Sequence, residues 1–427
     1  MLHAGISLSQ VSVTLNKVTL KLLATFLLLQ FTDPAFAQDA QLLSRVRDHM
    51  KETIDGVPNY TCQQLIERFK RVSGNNKKLE KLDALRLDVA VVNKRELFAW
   101  PGQNHFQETD LNEFSKNGAF GTGNFVTHLA NALGKVGVTY TIHGEEDFEG
   151  KRAYRFGYAI SAARKPYSIK IGPNSGTAGV KGQFWVDVNT LDVLKLELSV
   201  TDIPSNLDVR QTKEFVEYLR VKIGGSDFLL PKRAELQLEF NDGQLDQNKT
   251  TFSACRQYSG ESTIRFEDAA PTTNDVKPPE EIVIPSSTQI YVELKEKLNS
   301  TTAAVGDPVE VIVLRPVKVK GKVIIPKGAV ISGRLNRMER TVVSGTPIRI
   351  VGFEFNRLTA GNQFAKLKAG IEEGGSVMSS RIPNRLTGSR QRILVFWEPD
   401  GRPATAVFTQ GNTLELGKGF LIVLRTE

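Results

Sequence analysis

The feature that most constrains the fold of this chain is period-two alternation of apolar and polar residues. Between residues 138 and 258 it recurs in VTYTIHG, KRAYRFGYAI, GQFWVDVNTLDVLKLELSV, EFVEYLRVKI, AELQLEF and TTFSACRQY, with turns between. Alternation of that period sends one set of side chains to each face of a strand, and consecutive strands joined by turns pair antiparallel. The clearest hairpin is Gly182 to Val200, two alternating runs around Asn189-Thr190-Leu191-Asp192. Earlier, YTCQQLIERFKRV places Tyr60, Cys62, Gln64, Ile66 and Arg68 on one face, with Leu65 and Phe69 on the other. After the turn GNNKK, Leu85, Leu87, Val89 and Val91 alternate with Arg86, Asp88 and Ala90, and ELFAWPG is a short strand. Gln38 to Asp55 predicts an amphipathic helix through Leu42, Leu43, Val46, Met50 and Ile54, stopped by Gly56 and Pro58. Asn124 to Leu133 predicts a short helix.

The expected class is mainly β. Residues 38–266 form an α+β half-barrel, a curved antiparallel sheet with a covering helix. Residues 267–283, rich in Pro, Thr and acid, form a linker. Residues 284–427 form an all-β small barrel or sandwich, since many short strands there are punctuated by Gly and Pro. The polar stretch Glu372 to Arg392 predicts a long loop.

Lys17 and Lys21 precede the apolar run LLATFLLLQF, from Leu22 to Phe31, and Ala35-Phe36-Ala37 follows Pro34. A basic flank, a short apolar stretch and small residues at −3 and −1 make residues 1–37 an export signal cleaved after Ala37. The alternative is an N-terminal anchor helix, but the run falls short of the ~20 residues a span needs. The mature chain is expected in the periplasm or outside the cell, with no transmembrane span. Its two cysteines, Cys62 and Cys255, then read most simply as one disulfide joining the first strand to the last; the alternative is two separate thiols.

The hairpin residues Phe184, Trp185, Val186 and Asp187, with Val193 to Leu198 after the turn, follow an N-terminal amphipathic helix and long antiparallel strands. In this order and pattern Gln38 to Phe266 resembles the Lol-type lipoprotein carriers and related periplasmic stress regulators. The resemblance implies an open half-barrel whose apolar concave face holds acyl chains or a lipidated partner. From Ile284 onward, Ile284-Pro285-Ser286-Ser287-Thr288, Val305-Gly306-Asp307, Ile325-Pro326-Lys327-Gly328-Ala329 and Gly333 resemble the β-barrel domain of TrbI-like secretion-channel proteins. The chain lacks the Pro-rich arm and cytoplasmic anchor of a channel subunit, so the resemblance implies a barrel used for docking.

Catalytic and metal signatures are absent from the sequence. His3, His49, His105, His128 and His143 show neither HxxxH nor HxH spacing, and no GxSxG or SxxK occurs. Gly121-Thr122-Gly123 reads as a turn and helix cap rather than a phosphate loop, and Glu145, Glu146, Asp147 and Glu149 as a solvated turn rather than a calcium loop. Arg315, Lys318, Lys320, Lys322 and Lys327 cluster in the second domain, and Arg381, Arg385, Arg390 and Arg392 line the long loop. After export such cations suit anionic lipid headgroups or cell-wall polymer rather than nucleic acid; a solubilising face is the alternative. The expected protein is non-catalytic, without cofactor or metal, and binds an apolar ligand or lipidated protein. The alternative is a structural or stress-sensing envelope protein with a closed core.

Overall fold

The computed structural model describes residues 34–71, 78–103, 106, 119–258, 280–371, 393–396 and 406–427. The apolar run before Pro34, most of the linker, and Arg381, Arg385, Arg390 and Arg392 lie outside the described residues. The first helix, α1 (Pro34–Asp55), includes the expected Gln38 to Asp55 and passes through Ala37. The second helix, α2 (Thr127–Ala132), is shorter than expected, since Asn124 to Val126 form a turn.

Eleven strands make the first sheet: β1 (Tyr60–Arg71), β2 (Glu80–Val92), β3 (Arg95–Ala99), β4 (Val138–Phe148), β5 (Lys151–Ile160), β6 (Tyr167–Ile171), β7 (Asn174–Asp187), β8 (Val193–Thr201), β9 (Val209–Ile223), β10 (Ser226–Phe240) and β11 (Leu245–Gln257). Their order is β3-β2-β1-β11-β10-β9-β8-β7-β5-β4, with β6 paired to one end of β7. The β7–β8 turn falls where expected: Leu191 takes φ 62°, and Asp187 Oδ1 accepts from the N–H groups of Asn189 (2.8 Å) and Thr190 (3.1 Å). Cys62 is joined to Cys255, so the disulfide links β1 to its neighbour β11. Gly182 on β7 permits a close approach, since a Cβ there would stand 1.9 Å from the Glu197 carbonyl oxygen and 2.8 Å from the Tyr158 ring. The acidic run Glu145 to Asp147 sits in β4 rather than in a turn, drawn into the ladder by pairing with β5 and by Arg152 and Arg155, which meet Glu145 and Glu146.

The later strands are β12 (Glu280–Glu281), β13 (Gln289–Leu294), β14 (Leu298–Asn299), β15 (Pro308–Val313), β16 (Val317–Val319), β17 (Lys322–Ile325), β18 (Val330–Val343), β19 (Thr346–Ala360), β20 (Gln363–Ile371), β21 (Ile393–Phe396), β22 (Ala406–Gln410), β23 (Glu415–Leu416) and β24 (Leu421–Thr426). The pairing β20-β24-β13-β15-β18-β19 returns to β20, which closes a six-stranded barrel. Ile290, Val311, Ile331, Phe353, Leu358 and Leu424 fill it, all fully buried or nearly so. The fold is thus mainly β, and the second half is a barrel rather than a sandwich.

The halves touch along one edge. On the side of β2 away from β1, β3 pairs only with Asp88 to Val92. The rest of that edge would present unpaired backbone groups. The barrel covers part of it: Arg86 N–H donates to Val305 O and Val305 N–H to Ala84 O, both at 2.8 Å. Arg86 Nε donates to Asp307 Oδ1 at 2.5 Å, Arg340 pairs with Glu80, and the Arg334 guanidinium lies 4.7 Å from the Trp100 ring centre. Apolar packing is continuous across this contact, from Ile66, Leu85 and Leu87 into the barrel.

Candidate functional site

The face of the first sheet covered by α1 is where the sequence places a binding site. Strand register assigns its contents. One cross-strand row reads Leu85, Ile66, Thr250, Ala234, Val216, Leu196, Phe184, Phe156 and Ile142, apolar but for one threonine. The adjacent row starts polar, with Asp83, Arg68 and Asn248, and continues through Leu236 to Glu214, then Leu198. The face is therefore an apolar wall toward β5–β9, crossed by a polar band nearer β1.

Over the apolar wall lies α1, whose spacing of three to four residues puts Leu43, Val46 and Met50 on one stripe. They share a buried cluster with Phe156, Phe184, Leu196 and Leu198. Polar contacts hold the helix at its rims. His49 Nε2 lies 2.9 Å from Asp192 Oδ1, and Arg220 donates to both oxygens of Asp192 at 2.7 Å. Burial pushes the Asp192 carboxyl up, but the hydrogen bonds from Arg220 and His49 outweigh it and hold the group below the usual range. Arg47 donates to the Gly134 carbonyl at 3.0 Å and lies over the Tyr140 ring.

Gly121 to Val126 and α2 plug the polar side. His128 and Glu214 are buried, with Nε2 and Oε2 2.9 Å apart but not aligned as a hydrogen bond, so charge carries the contact. The Tyr167 hydroxyl donates to the other Glu214 oxygen. Burial alone would lower the His128 pKa; Glu214, through its charge and its close side-chain contact, then the Glu96 charge and the Thr122 carbonyl, together raise it. The Glu96 carboxyl is raised by burial against the N–H groups of Gly123 (3.0 Å) and Phe125 (3.1 Å), which pull it down. Arg68 meets Asp83 through two hydrogen bonds, one at 2.6 Å, and lies over Phe120. Asn248 Nδ2 donates to Ala119 O at 2.6 Å. The packing leaves a void of about 10 Å³ between Gly121, Glu214 and Leu236, enough for one water. A groove of about 470 Å³, open to solvent, runs along Val138, Ile160, Val180 and Asp202 at the end of the sheet.

At Gly121-Thr122-Gly123 the expected helix cap is made by backbone alone: the Gly123 carbonyl accepts from the His128 N–H, in the first turn of α2, at 3.1 Å. The residue before α2 is Val126, without a side-chain cap, and Gly121 lies against Glu214 and Leu236. The sequence reading singled out neither Glu214 nor the Arg68–Asp83 pair. Their signal was a charged residue at an inward position of an otherwise apolar alternation: Arg68 after Ile66, and Glu214 before Val216 and Tyr218. His49 and His128 are brought to carboxylates rather than to each other. Among the described residues no group of three or more His, Cys, Asp or Glu stands close enough to hold a metal ion. No described helix is long and apolar enough to cross a membrane.

Of the proposed surface cations, Arg315, Lys318, Lys320, Lys322 and Lys327 are exposed on or beside the hairpin β16–β17. Arg315 lies 3.9 Å over the Tyr291 ring.

No family model matches the chain. No curated protein matches it either. Among solved structures, the first half is similar to a LolA superfamily protein from Nitrosomonas europaea, at 10% identity over 51% of this chain and 93% of that one, with a TM-score of 0.25. It is also similar to the lipoprotein LppX of Mycobacterium tuberculosis, at 11% identity over 53% and 98%, TM-score 0.20. ComB10 of the Com type IV secretion system of Helicobacter pylori is similar over 34% of this chain and 86% of its own, at 13% identity and TM-score 0.19.

Proposed function

We propose that this chain is a non-catalytic binding protein of the cell envelope that takes an acyl chain, free or on a lipidated protein, on the apolar wall beneath α1. The signal at residues 1–37 and the Cys62–Cys255 bond support an extracytoplasmic site of action. Residues 38–266 would bind and residues 284–427 would dock.

The observation that carries the reading is the cover: a continuous apolar wall closed by one helix through three large apolar side chains. Exposing Leu43, Val46 and Met50 costs about 1.5–3 kcal/mol each, so about 5–9 kcal/mol in all. An acyl chain returns about 0.8 kcal/mol per methylene buried, and about 6–11 methylenes compensate for the displaced helix. Long chains replace α1 and short ones do not. Native mass spectrometry of protein released from the envelope is expected to show bound lipid. Titration with fluorescent fatty acids is expected to show uptake that begins between about 8 and 13 carbons. Absence of both lipid and uptake refutes the proposal.

The second reading, an interaction protein with a closed core, draws on the ~10 Å³ void, too small for any acyl chain while α1 is in place. It predicts a stable protein partner on cross-linking in envelope extracts and no response to fatty acids of any length.

A further inference from the structure

The hairpin β16–β17 belongs to neither large sheet. Its root is fixed, since Ile325 is fully buried and Val317 and Ile324 pack on the barrel core. Its tip is a two-residue turn, Lys320-Gly321, with φ of 51° and 81°. Left-handed geometry at both positions is the tight hairpin turn that matches strand twist. The hairpin therefore presents a fixed surface.

That surface is cationic and carries no acid. Lys318, Lys320, Lys322 and, just after β17, Lys327 are exposed. Among the described residues none of these four forms an ion pair, whereas Arg86, Arg220, Arg233 and Arg334 each have a carboxylate. Lysines without partners keep their charge available to an external anion. Arg315 adds a fifth cation, stacked on Tyr291. Val323, 45% exposed, stands directly across the ladder from Lys318 on the same face of the hairpin, whereas Lys322 pairs with Val319 on the other. A purely solubilising face gains nothing from an exposed valine among its lysines. A bilayer interface accommodates both, lysine at the headgroup phosphates and valine at the headgroup–acyl boundary.

We propose that the β16–β17 hairpin docks the barrel onto the surface of an anionic bilayer, with Val323 inserted beside Lys318 and with Lys318, Lys320, Lys322 and Lys327, reaching from both faces and the tip of the hairpin, on headgroup phosphates. This surface is independent of what lies beneath α1.

The test is co-sedimentation of the full chain with vesicles of phosphatidylcholine alone or with about 30 mol% phosphatidylglycerol. Binding to the anionic vesicles only, falling with added salt, is expected. Each lysine near an anionic leaflet multiplies partitioning roughly fivefold, so the Lys318→Gln, Lys320→Gln, Lys322→Gln, Lys327→Gln variant is expected to lose at least about a hundredfold. A control carrying Lys151→Gln, Lys213→Gln, Lys232→Gln and Lys366→Gln makes the same charge change elsewhere and is expected to retain most binding. Equal loss in both variants, or no binding by the unmodified chain, overturns the proposal. Val323→Ser separates a bilayer from a soluble anionic polymer. A several-fold loss on vesicles with unchanged binding to polyphosphate supports the bilayer. Vesicle binding that ignores Val323, with equal affinity for polyphosphate, overturns it.

Discussion

Gly306→Ala tests whether the two halves are one cooperative unit. Gly306 takes φ 98°, a left-handed geometry that costs an L side chain about 1–3 kcal/mol. Its missing Cβ would also stand 2.4 Å from the Arg86 carbonyl oxygen and 2.7 Å from the Trp100 ring. Ordinary carbon–oxygen contact is about 3.3 Å, so the loop would have to retreat by nearly 1 Å. That retreat stretches the two 2.8 Å bonds that tie Val305 to Ala84 and Arg86 beyond hydrogen-bonding range. Each is worth about 1 kcal/mol, so strain and lost bonds together come to about 3–5 kcal/mol. The two lost bonds fall on the contact between sheet and barrel, and the strain on the loop that makes it. In calorimetry the unmodified chain is expected to melt in one transition and the variant in two. With a protease site engineered within residues 259–279, the nicked halves of the unmodified chain should co-elute and those of the variant separate. If the variant melts within about 0.5 kcal/mol of the parent and its nicked halves stay together, the edge contact does not join them and the reasoning fails.

Replacing Cys62 and Cys255 by serine opens a link that closes 193 residues of sequence. Loop-closure entropy then predicts a loss of about 5 kcal/mol in urea unfolding, and a loss under 1 kcal/mol would contradict the chain-entropy account. His128 has a raised folded pKa against 6.5 when unfolded, so its charge stabilises fully below about pH 6.5. That contribution disappears as pH climbs through the higher folded value, and His128→Gln should flatten this part of the stability–pH curve. Asp192 has the opposite sign, its lowered pKa giving stability that is present above 3.8 and lost as pH falls through the folded value. Asp192→Asn removes a partly exposed latch on α1 worth about 1–2 kcal/mol, so α1 amides should exchange about tenfold faster, while unchanged exchange would mean the latch does not hold the helix.

Local pattern made the strands legible because alternation is a property of neighbours in sequence. Gly182 to Val200 could be placed as a hairpin from its own residues, and the Cys62–Cys255 bond from the count of cysteines. The polar band was not legible for the complementary reason. Arg68 reads as an ordinary charged end of a strand until register sets Asp83 directly opposite it. Glu214 becomes a buried partner only when β6 and α2 bring Tyr167 and His128 to it, 47 and 86 residues upstream in sequence. Charge complementarity decides such pairings, and it acts between elements whose order in the sheet no periodicity reports.

The contact between the halves left one trace that physics could have used. LDALRLDVAVV alternates over eleven residues, while the strand after it, ELFAW, has five. A short strand cannot satisfy the backbone of a long one, so part of the longer edge must face water, pair with another chain or be covered from elsewhere in the same molecule. Leu85 and Leu87 argue against water, since they continue the buried alternation into the uncovered half of the strand. Val305-Gly306-Asp307 supplies the cover: a valine extended enough to pair, a glycine that lets the backbone approach, and an aspartate placed for Arg86. The mismatch in strand length called for a partner; that the partner lies some 220 residues away could be found only from the folded chain.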